Sequence, residues 1–431
     1  MEKKLAIHGG TPVRKELVPG MLRGALVVGA EEEARVSQVM RAASMNRYYG
    51  PDNQAAVSTF EDRMAEAFRI PFVLGLTSGT AALVVALKAL GIGYGDKVIV
   101  PANTFTATPG AVICCNAVPV YVDMDETLNL DPADLERVMD DEVKAIIVVH
   151  INGQSCDMDR IMPFARKYNL PVIEDVAQSF GASYKGQFCG TFGEIGAFSF
   201  QMQKIVTSGE GGAIATRDFR LFERAVRYHD QGSFRDKGRY VTEGSGLSVG
   251  EAFVGQNFRM TEMAGAVMLE QWEKRDAIIS HMRKYHRRIK SALAAELPGI
   301  KFRGTVDEQG DLGCILAFLH DDAANAKQFV DAMMAENVFT YFMYGAKPIY
   351  MTPFLLNKQT AEKNNFPFDY PFKNPVEYAP GMCPNAERIL PRMTLMPISP
   401  LMTDTEADEV IEAVIKVYRG LGLLEKATAR A

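Results

Sequence analysis

The sequence predicts an α/β fold, a mostly parallel central sheet flanked by helices with a smaller α+β region after it. Three observations predict it. Short, nearly continuous apolar runs alternate with helical periodicity from Val73 to about Thr216. Runs without a polar face suit strands covered on both sides, as in a parallel sheet. After about Ser280 the alternation gives way to a long basic helix and scattered shorter elements, and 431 residues suffice for one large and one small body.

Taken in order, the strand candidates are Lys97–Pro101, Pro119–Asp123, Lys144–His150, Pro171–Asp175 and Ile195–Phe200. Thr80–Leu90 is apolar nearly all round and is expected to be a buried helix. Asp131-Pro132 combines an N-cap side chain with proline at the first helical position. Met158, Ile161, Met162 and Ala165 form one stripe at helical spacing. Beyond Ser280, His281–Leu297 reads as a helix, Cys314–His320 as a strand and Asp321–Glu336 as a helix. Thr403-Asp404-Thr405-Glu406 is a capping box ahead of a helix with Val410, Val414 and Val417 on one face. The stretch from Pro348 to Pro384 has no clear period and reads as a loop insertion, a kind of segment that often serves as a lid. The expected organisation is an N-terminal arm over 1–30, a large domain over 31–280 and a small C-terminal domain over 281–431, the insertion at 348–384 lying within the last.

Composition excludes some functions. A formal net charge of −6 without a dense Lys/Arg block argues against a nucleic-acid partner. The longest apolar run, around Ala111 to Val122, is broken by Asn116 and Pro119 and too short to span a bilayer. Met1–Pro12 holds no apolar stretch of signal-sequence length. Six cysteines show no metal-ligand spacing, and the six scattered histidines offer no HxxxH pair on one helix, so no metal site is expected. Reduced thiols in a cytoplasmic enzyme are the expectation.

Three features carry chemistry. Thr77-Ser78-Gly79-Thr80 lies between a strand and a buried helix, where small residues and free amides favour a phosphate, although the same residues serve as an ordinary N-cap. Asp175 ends the strand Pro171–Asp175, where a sheet of this kind presents side chains to a ligand. An isolated Asp there would more simply be a cap or an ion-pair partner. Lys204 follows the strand Ile195–Phe200 and precedes Thr207-Ser208-Gly209-Glu210-Gly211-Gly212. Most lysines are solvated, but one held between strands can be partly buried and neutral enough to act as a nucleophile. In this order the three point to a pyridoxal 5'-phosphate site.

At these residues the sequence resembles the DegT-like sugar aminotransferases of the pyridoxal-phosphate fold type I. The resemblance runs from about Gly50 to Val267 and resumes weakly at Cys383–Met402. VIEDVAQSFGASYKG, GAFSFQMQKIVTSGEGG and GQNFRMTEMAGAV carry it. It implies that Lys204 holds the cofactor covalently and shuttles protons, and that Asp175 holds the pyridine nitrogen. It implies further that Gln178 lies near the ring, that Ser78, Gly79, Thr80 and Ser199 bind the phosphate, and that Phe105 stacks on the ring. Asn257 would reach the phosphate held by a neighbouring subunit, which implies a homodimer with two shared active sites. Gln201-Met202 stands where many members have His-Pro, a variant similar to the aminohydroxybenzoate synthase and scyllo-inosose aminotransferase branch. The implied reaction moves an amino group from glutamate or glutamine to a keto sugar, cyclitol or related polyol, in antibiotic or polysaccharide biosynthesis. A dehydratase or aromatising synthase on the same scaffold, and a non-catalytic regulator, are the competing readings. The acceptor is expected to meet side chains of 348–384 and of Tyr228–Tyr240, with Tyr228, His229 and Arg235 as polar candidates.

Overall fold

The computed structural model describes residues 4–17, 21–232 and 253–424. A seven-stranded sheet forms its centre. Its strands are β1 (Phe72–Leu76), β2 (Lys97–Pro101), β3 (Val118–Val122), β4 (Val143–Val149), β5 (Val172–Asp175), β6 (Ile195–Ser199) and β7 (Gly212–Thr216). Their spatial order is β1-β7-β6-β5-β4-β2-β3. From β6 to β3 all neighbours are parallel. β7 runs against both β6 and β1, so β1 points the same way as the parallel strands. The five strands predicted from the sequence are all present, each within one residue at either end.

Helices cover both faces. They are α1 (Ala30–Arg41), α2 (Ala56–Phe68), α3 (Gly79–Ala89), α4 (Ala107–Cys114), α5 (Met158–Tyr168), α6 (Phe219–His229) and the 35-residue α7 (Glu262–Glu296). α3 is buried along nearly its whole length, as its all-round apolar sequence requires. The Asp131-Pro132 signal starts a seven-residue 3-10 helix, Pro132–Val138, with Asp131 accepting from the Ala133 amide at 2.9 Å.

The helix expected at His281–Leu297 is the second half of α7, so position 280/281 falls inside one continuous helix. Beyond it, β8 (Ile315–Leu319), β9 (Tyr341–Phe342) and β10 (Met393–Pro397) form an antiparallel sheet in the order β8-β10-β9. α8 (Ala323–Ala335) packs on it, and α9 (Asp404–Gly420) packs against α8 and α7. The capping box is formed at the start of α9: Glu406 N donates to Thr403 Oγ1 at 3.2 Å, and Thr403 N to Glu406 Oε2 at 2.8 Å.

The 348–384 segment departs from the expected lid. It lies along the β2–β3 edge of the large sheet. Tyr378 donates to Pro119 O at 2.6 Å, Lys97 Nζ donates to Asn374 O at 2.8 Å, and Phe366 stacks on Tyr94 with ring centres 5.0 Å apart. Its Pro, Phe and Tyr side chains cover a sheet edge, which explains an aromatic composition without periodicity.

Candidate active site

The carboxyl ends of the parallel strands meet at one level. Ser199 and Leu76 both pair with Gly212, and Asp175 pairs with Ala197, two residues before Ser199. Above them lies a cavity of about 470 Å³. Ser78, Gly79, Thr80, Phe105, Asp175, Gln178, Ser199 and Lys204, eight of the nine residues predicted from the sequence, line it.

Asp175 enters the cavity because successive strand residues face opposite sides of a sheet. It is 5% exposed. Thr108 Oγ1 donates to its Oδ2 at 3.0 Å and the Ala177 amide to its Oδ1 at 3.0 Å. Burial raises its pKa above the usual carboxylate value, while those two bonds and the Lys204 charge pull the other way.

Lys204 sits in a pinned turn. Its amide donates to Gln201 O at 2.9 Å, and its carbonyl accepts from Gly24 N at 3.1 Å. The base of the loop is closed by Phe200 N to Gly211 O at 2.8 Å and Ser208 N to Phe200 O at 3.0 Å. The side chain is half-buried. Burial lowers the amine's pKa below 10.5; Asp175 opposes that shift and Arg23 adds to it. Lys204 makes no ion pair among the described residues.

The start of α3 is built for close approach. Ser78 Oγ accepts from Ala81 N at 3.0 Å, so the remaining first-turn amides are those of Gly79 and Thr80, which have no acceptor within the helix. A Cβ on Gly79 would stand 2.6 Å from Ser199 Cβ, a clash that restricts the position to glycine.

Gln178 Nε2 donates to the Tyr344 phenol at 2.6 Å, and its Oε1 accepts from Asn152 N at 3.3 Å. Phe105 is 55% exposed and its ring centre lies 6.0 Å from that of Tyr344. Asn257 is the exception among the predicted residues. It is exposed, pairs with Asp230 in a short antiparallel bridge, and lies outside the cavity of its own chain.

Sequence reasoning missed the contributions from afar. Met21 and Arg23 come from the N-terminal arm, and Tyr341 to Tyr344 from the small sheet and the turn after it. Tyr344, Gly345 and Ala346 all have left-handed backbone, at φ 46°, 70° and 62°. Such strain in a tyrosine concentrates at sites that hold a side chain in one place. The aromatic run before Pro348 was the only available sign.

The residues expected to meet the acceptor are differently placed. Tyr228 and His229 do not line the cavity; His229 is fully buried, 2.8 Å from the Tyr48 phenol. Arg235 and Tyr240 lie outside the described residues. No residue of 348–384 lines the cavity either.

Residues 27–415 match the DegT/DnrJ/EryC1/StrS aminotransferase family. The chain belongs to that family. Its aminotransferases use pyridoxal phosphate. GDP-perosamine synthase of Escherichia coli O157:H7 is 39% identical over 233 residues, 53% of this chain and 60% of that protein. L-glutamine:2-deoxy-scyllo-inosose aminotransferase of Micromonospora echinospora is 38% identical over 280 residues, 63% of this chain and 64% of that protein. The chain thus spans about three fifths of the length of these curated relatives. The solved structure of 3-amino-5-hydroxybenzoic acid synthase superposes with a TM-score of 0.77 at 25% identity, over 91% of this chain and 97% of that one. Among the described residues no helix is long and apolar enough to cross a membrane.

Proposed function

We propose that this chain is a pyridoxal-phosphate-dependent aminotransferase that moves the amino group of glutamate or glutamine to a keto group of a sugar, cyclitol or related polyol. The meeting of Lys204, Asp175 and the start of α3 in one cavity carries the reading. The names of the scyllo-inosose and perosamine relatives support the substrate class.

The residues present fit the cofactor. The glycine cradle between Gly79 and Ser199 admits a phosphate against free amides, where the helix dipole favours negative charge. Ser78, Thr80 and Ser199 would add hydroxyl donors there. Asp175 is a buried acid whose ionised form lacks a full counter-charge, as suits a partner for a protonated pyridine nitrogen. Gln178 and Phe105 would flank the ring. When bound, the cofactor supplies an electron sink for the carbon that loses its proton.

The chain's own groups handle binding and protons. Burial keeps a larger fraction of Lys204 Nζ neutral near neutral pH, so the amine can attack a carbonyl carbon and later accept the α-proton of the donor. The same nitrogen then returns a proton to the acceptor carbon in the second half of the cycle. The walls from the arm and from the small sheet narrow access of water to that nitrogen.

The same reading covers the finer assignments. The arm 1–30, the body 31–280 and the small domain 281–431 would cooperate, with α7 rigidly joining the last two. A homodimer with two shared sites is proposed, in which Asn257 serves the neighbouring subunit's phosphate. Its exposure outside its own cavity supports that role. A cytoplasmic location is part of the reading, in keeping with five buried free thiols.

The test is Lys204→Ala. The purified variant is expected to lose the visible absorption that borohydride reduces, and to lose amino transfer by more than about a thousandfold, as when a covalent catalyst is removed. A variant that transaminates like the unaltered protein overturns the reading. Product mass with a keto-cyclitol and glutamine separates amino transfer from loss of water.

A further inference from the structure

Five arginines are buried among the described residues: Arg14, Arg23, Arg47, Arg227 and Arg303. Four of them face a carboxylate. Arg14 meets Glu406 and Glu409, Arg47 meets Glu61, Arg227 meets Glu223, and Arg303 lies 3.9 Å from Asp311. Arg23, 6% exposed, meets none. Its Nη1 donates to Gln203 O and its Nη2 to Cys314 O, both at 3.3 Å, and Nη2 also lies 3.8 Å from the Met21 sulfur. Its Nε is buried without any partner. A buried guanidinium held only by two long bonds to neutral oxygens carries an uncompensated charge, which a protein rarely keeps without use.

The location says what the charge is for. Arg23 lines the same cavity as Lys204 and contacts the backbone of the residue next to it. Gly24 N binds the Lys204 carbonyl, so the arm and the reactive lysine are held in register. The second contact, to Cys314, lies one residue before β8, so the guanidinium bridges the seam between the lysine turn and the small sheet. None of its contacts is shared with the Ser78–Thr80 cradle. Glu210, the other acidic residue of the cavity wall besides Asp175, forms no ion pair with it.

We propose that Arg23 is the subsite for the α-carboxylate of the amino donor, leaving the keto acceptor to other walls. This rests on the aminotransferase reading and goes beyond it, since it assigns the donor's recognition to the N-terminal arm. A planar guanidinium fits a carboxylate with two parallel bonds, which also sets the α-carbon at a fixed height above the lysine turn. A keto-cyclitol carries no carboxylate, so with that acceptor the two halves of the reaction should respond differently to loss of this charge.

The experiment uses cofactor-loaded protein and three probes: L-glutamine, L-glutaminol (the same amine with the carboxylate reduced to an alcohol) and succinate as an inert dicarboxylate. The unaltered protein should prefer glutamine to glutaminol by about a hundredfold or more in kcat/KM, the scale of a hydrogen bond to a charged group. Arg23→Gln should raise KM for glutamine at least about thirtyfold, affect glutaminol by a much smaller factor, and weaken succinate binding in calorimetry to the same degree as glutamine. Arg23→Lys should restore part of both. The conversion of a keto-cyclitol by protein preloaded with the amine form should fall by a much smaller factor than the glutamine half-reaction does. Equal use of glutamine and glutaminol by the unaltered protein overturns the proposal without any variant. So does an Arg23→Gln protein whose glutamine KM and succinate affinity stay within twofold, or one whose main defect is loss of the cofactor, which would assign the charge to the phosphate. The aminotransferase reading stands or falls separately, on whether the unaltered protein shows borohydride-sensitive absorption that Lys204→Ala lacks.

Discussion

Glu174 and Asp175 are neighbours on β5, yet they belong to regions that treat buried charge in opposite ways. Glu174 points to the face away from the cavity and is fully buried. Its carboxylate accepts from the amides of Gly190, Phe192 and Gly193 at 2.7, 2.7 and 2.8 Å, and lies 3.0 Å from His150 Nε2. The Cys156 amide donates to His150 Nδ1 at 3.0 Å, which leaves Nε2 to carry the proton toward Glu174. Every oxygen lone pair there has work in the fold. Asp175 has two bonds and an open side. Two lysines repeat the contrast: Lys97, the first residue of β2, lies within 2.9 Å of both Asp140 and Glu142, whereas Lys204 has no ion-pair partner among the described residues. Saturated charges mark the scaffold, and charges left with capacity mark the site.

The comparison can be broken at several points. The largest stability effect is expected at Glu174→Ala. It strands three amides and a buried histidine proton, so unfolding in urea should show a loss of about 3–5 kcal/mol. Asp175→Asn should do the reverse. Turnover should fall about a hundredfold or more, the scale of removing a preorganised electrostatic partner, while the urea midpoint of cofactor-free protein holds or rises because burial no longer opposes an ionised group. If both variants lose stability equally, the distinction between the two faces fails.

A smaller effect sharpens the contrast through pH. The folded-state pKa of Lys204 lies below 10.5, so in cofactor-free protein the native state binds this proton less tightly than the unfolded chain. Its contribution is most favourable above pH 10.5 and is lost as pH falls through the depressed value. Lys204→Met should therefore flatten the decline in stability across that alkaline window. Denaturant midpoints measured at a series of pH values check this. The smallest effect is expected at Tyr344→Phe, which removes one phenol bond to Gln178 worth about 1 kcal/mol, read as a rise of roughly fivefold in KM for the acceptor. An unchanged KM would mean that the strained turn at 344–346 serves the fold alone.

Much of this was legible before any coordinates. The strands showed because burial on both faces demands unbroken apolar runs, and Met158, Ile161 and Ala165 are all buried on α5 as their spacing required. The cavity residues on the large sheet were legible for the same reason, since strand ends in this topology converge on one edge. Arg23, Tyr341 and Tyr344 were not. Each sits in a stretch with weak periodicity and reaches the cavity only because the arm and the small sheet fold back on it. The 348–384 segment was misjudged because an aromatic, aperiodic stretch looks alike whether it covers a pocket or a sheet edge.

What the sequence alone determined is local in origin: the strands and helices, the glycine cradle before α3, and a lysine and a carboxylate at the ends of two neighbouring strands. Those follow from steric and solvation preferences over a few residues, which the chain carries wherever it is placed. Tertiary structure alone decided which buried charges acquired partners. Glu174 and Asp175 are one residue apart, and neither Arg23 nor Arg47 has a carboxylate among its immediate sequence neighbours, yet only Arg47 gains one in the fold. A counter-charge is supplied by whatever segment packs opposite, and electrostatic energy depends on that distance and burial rather than on position along the chain.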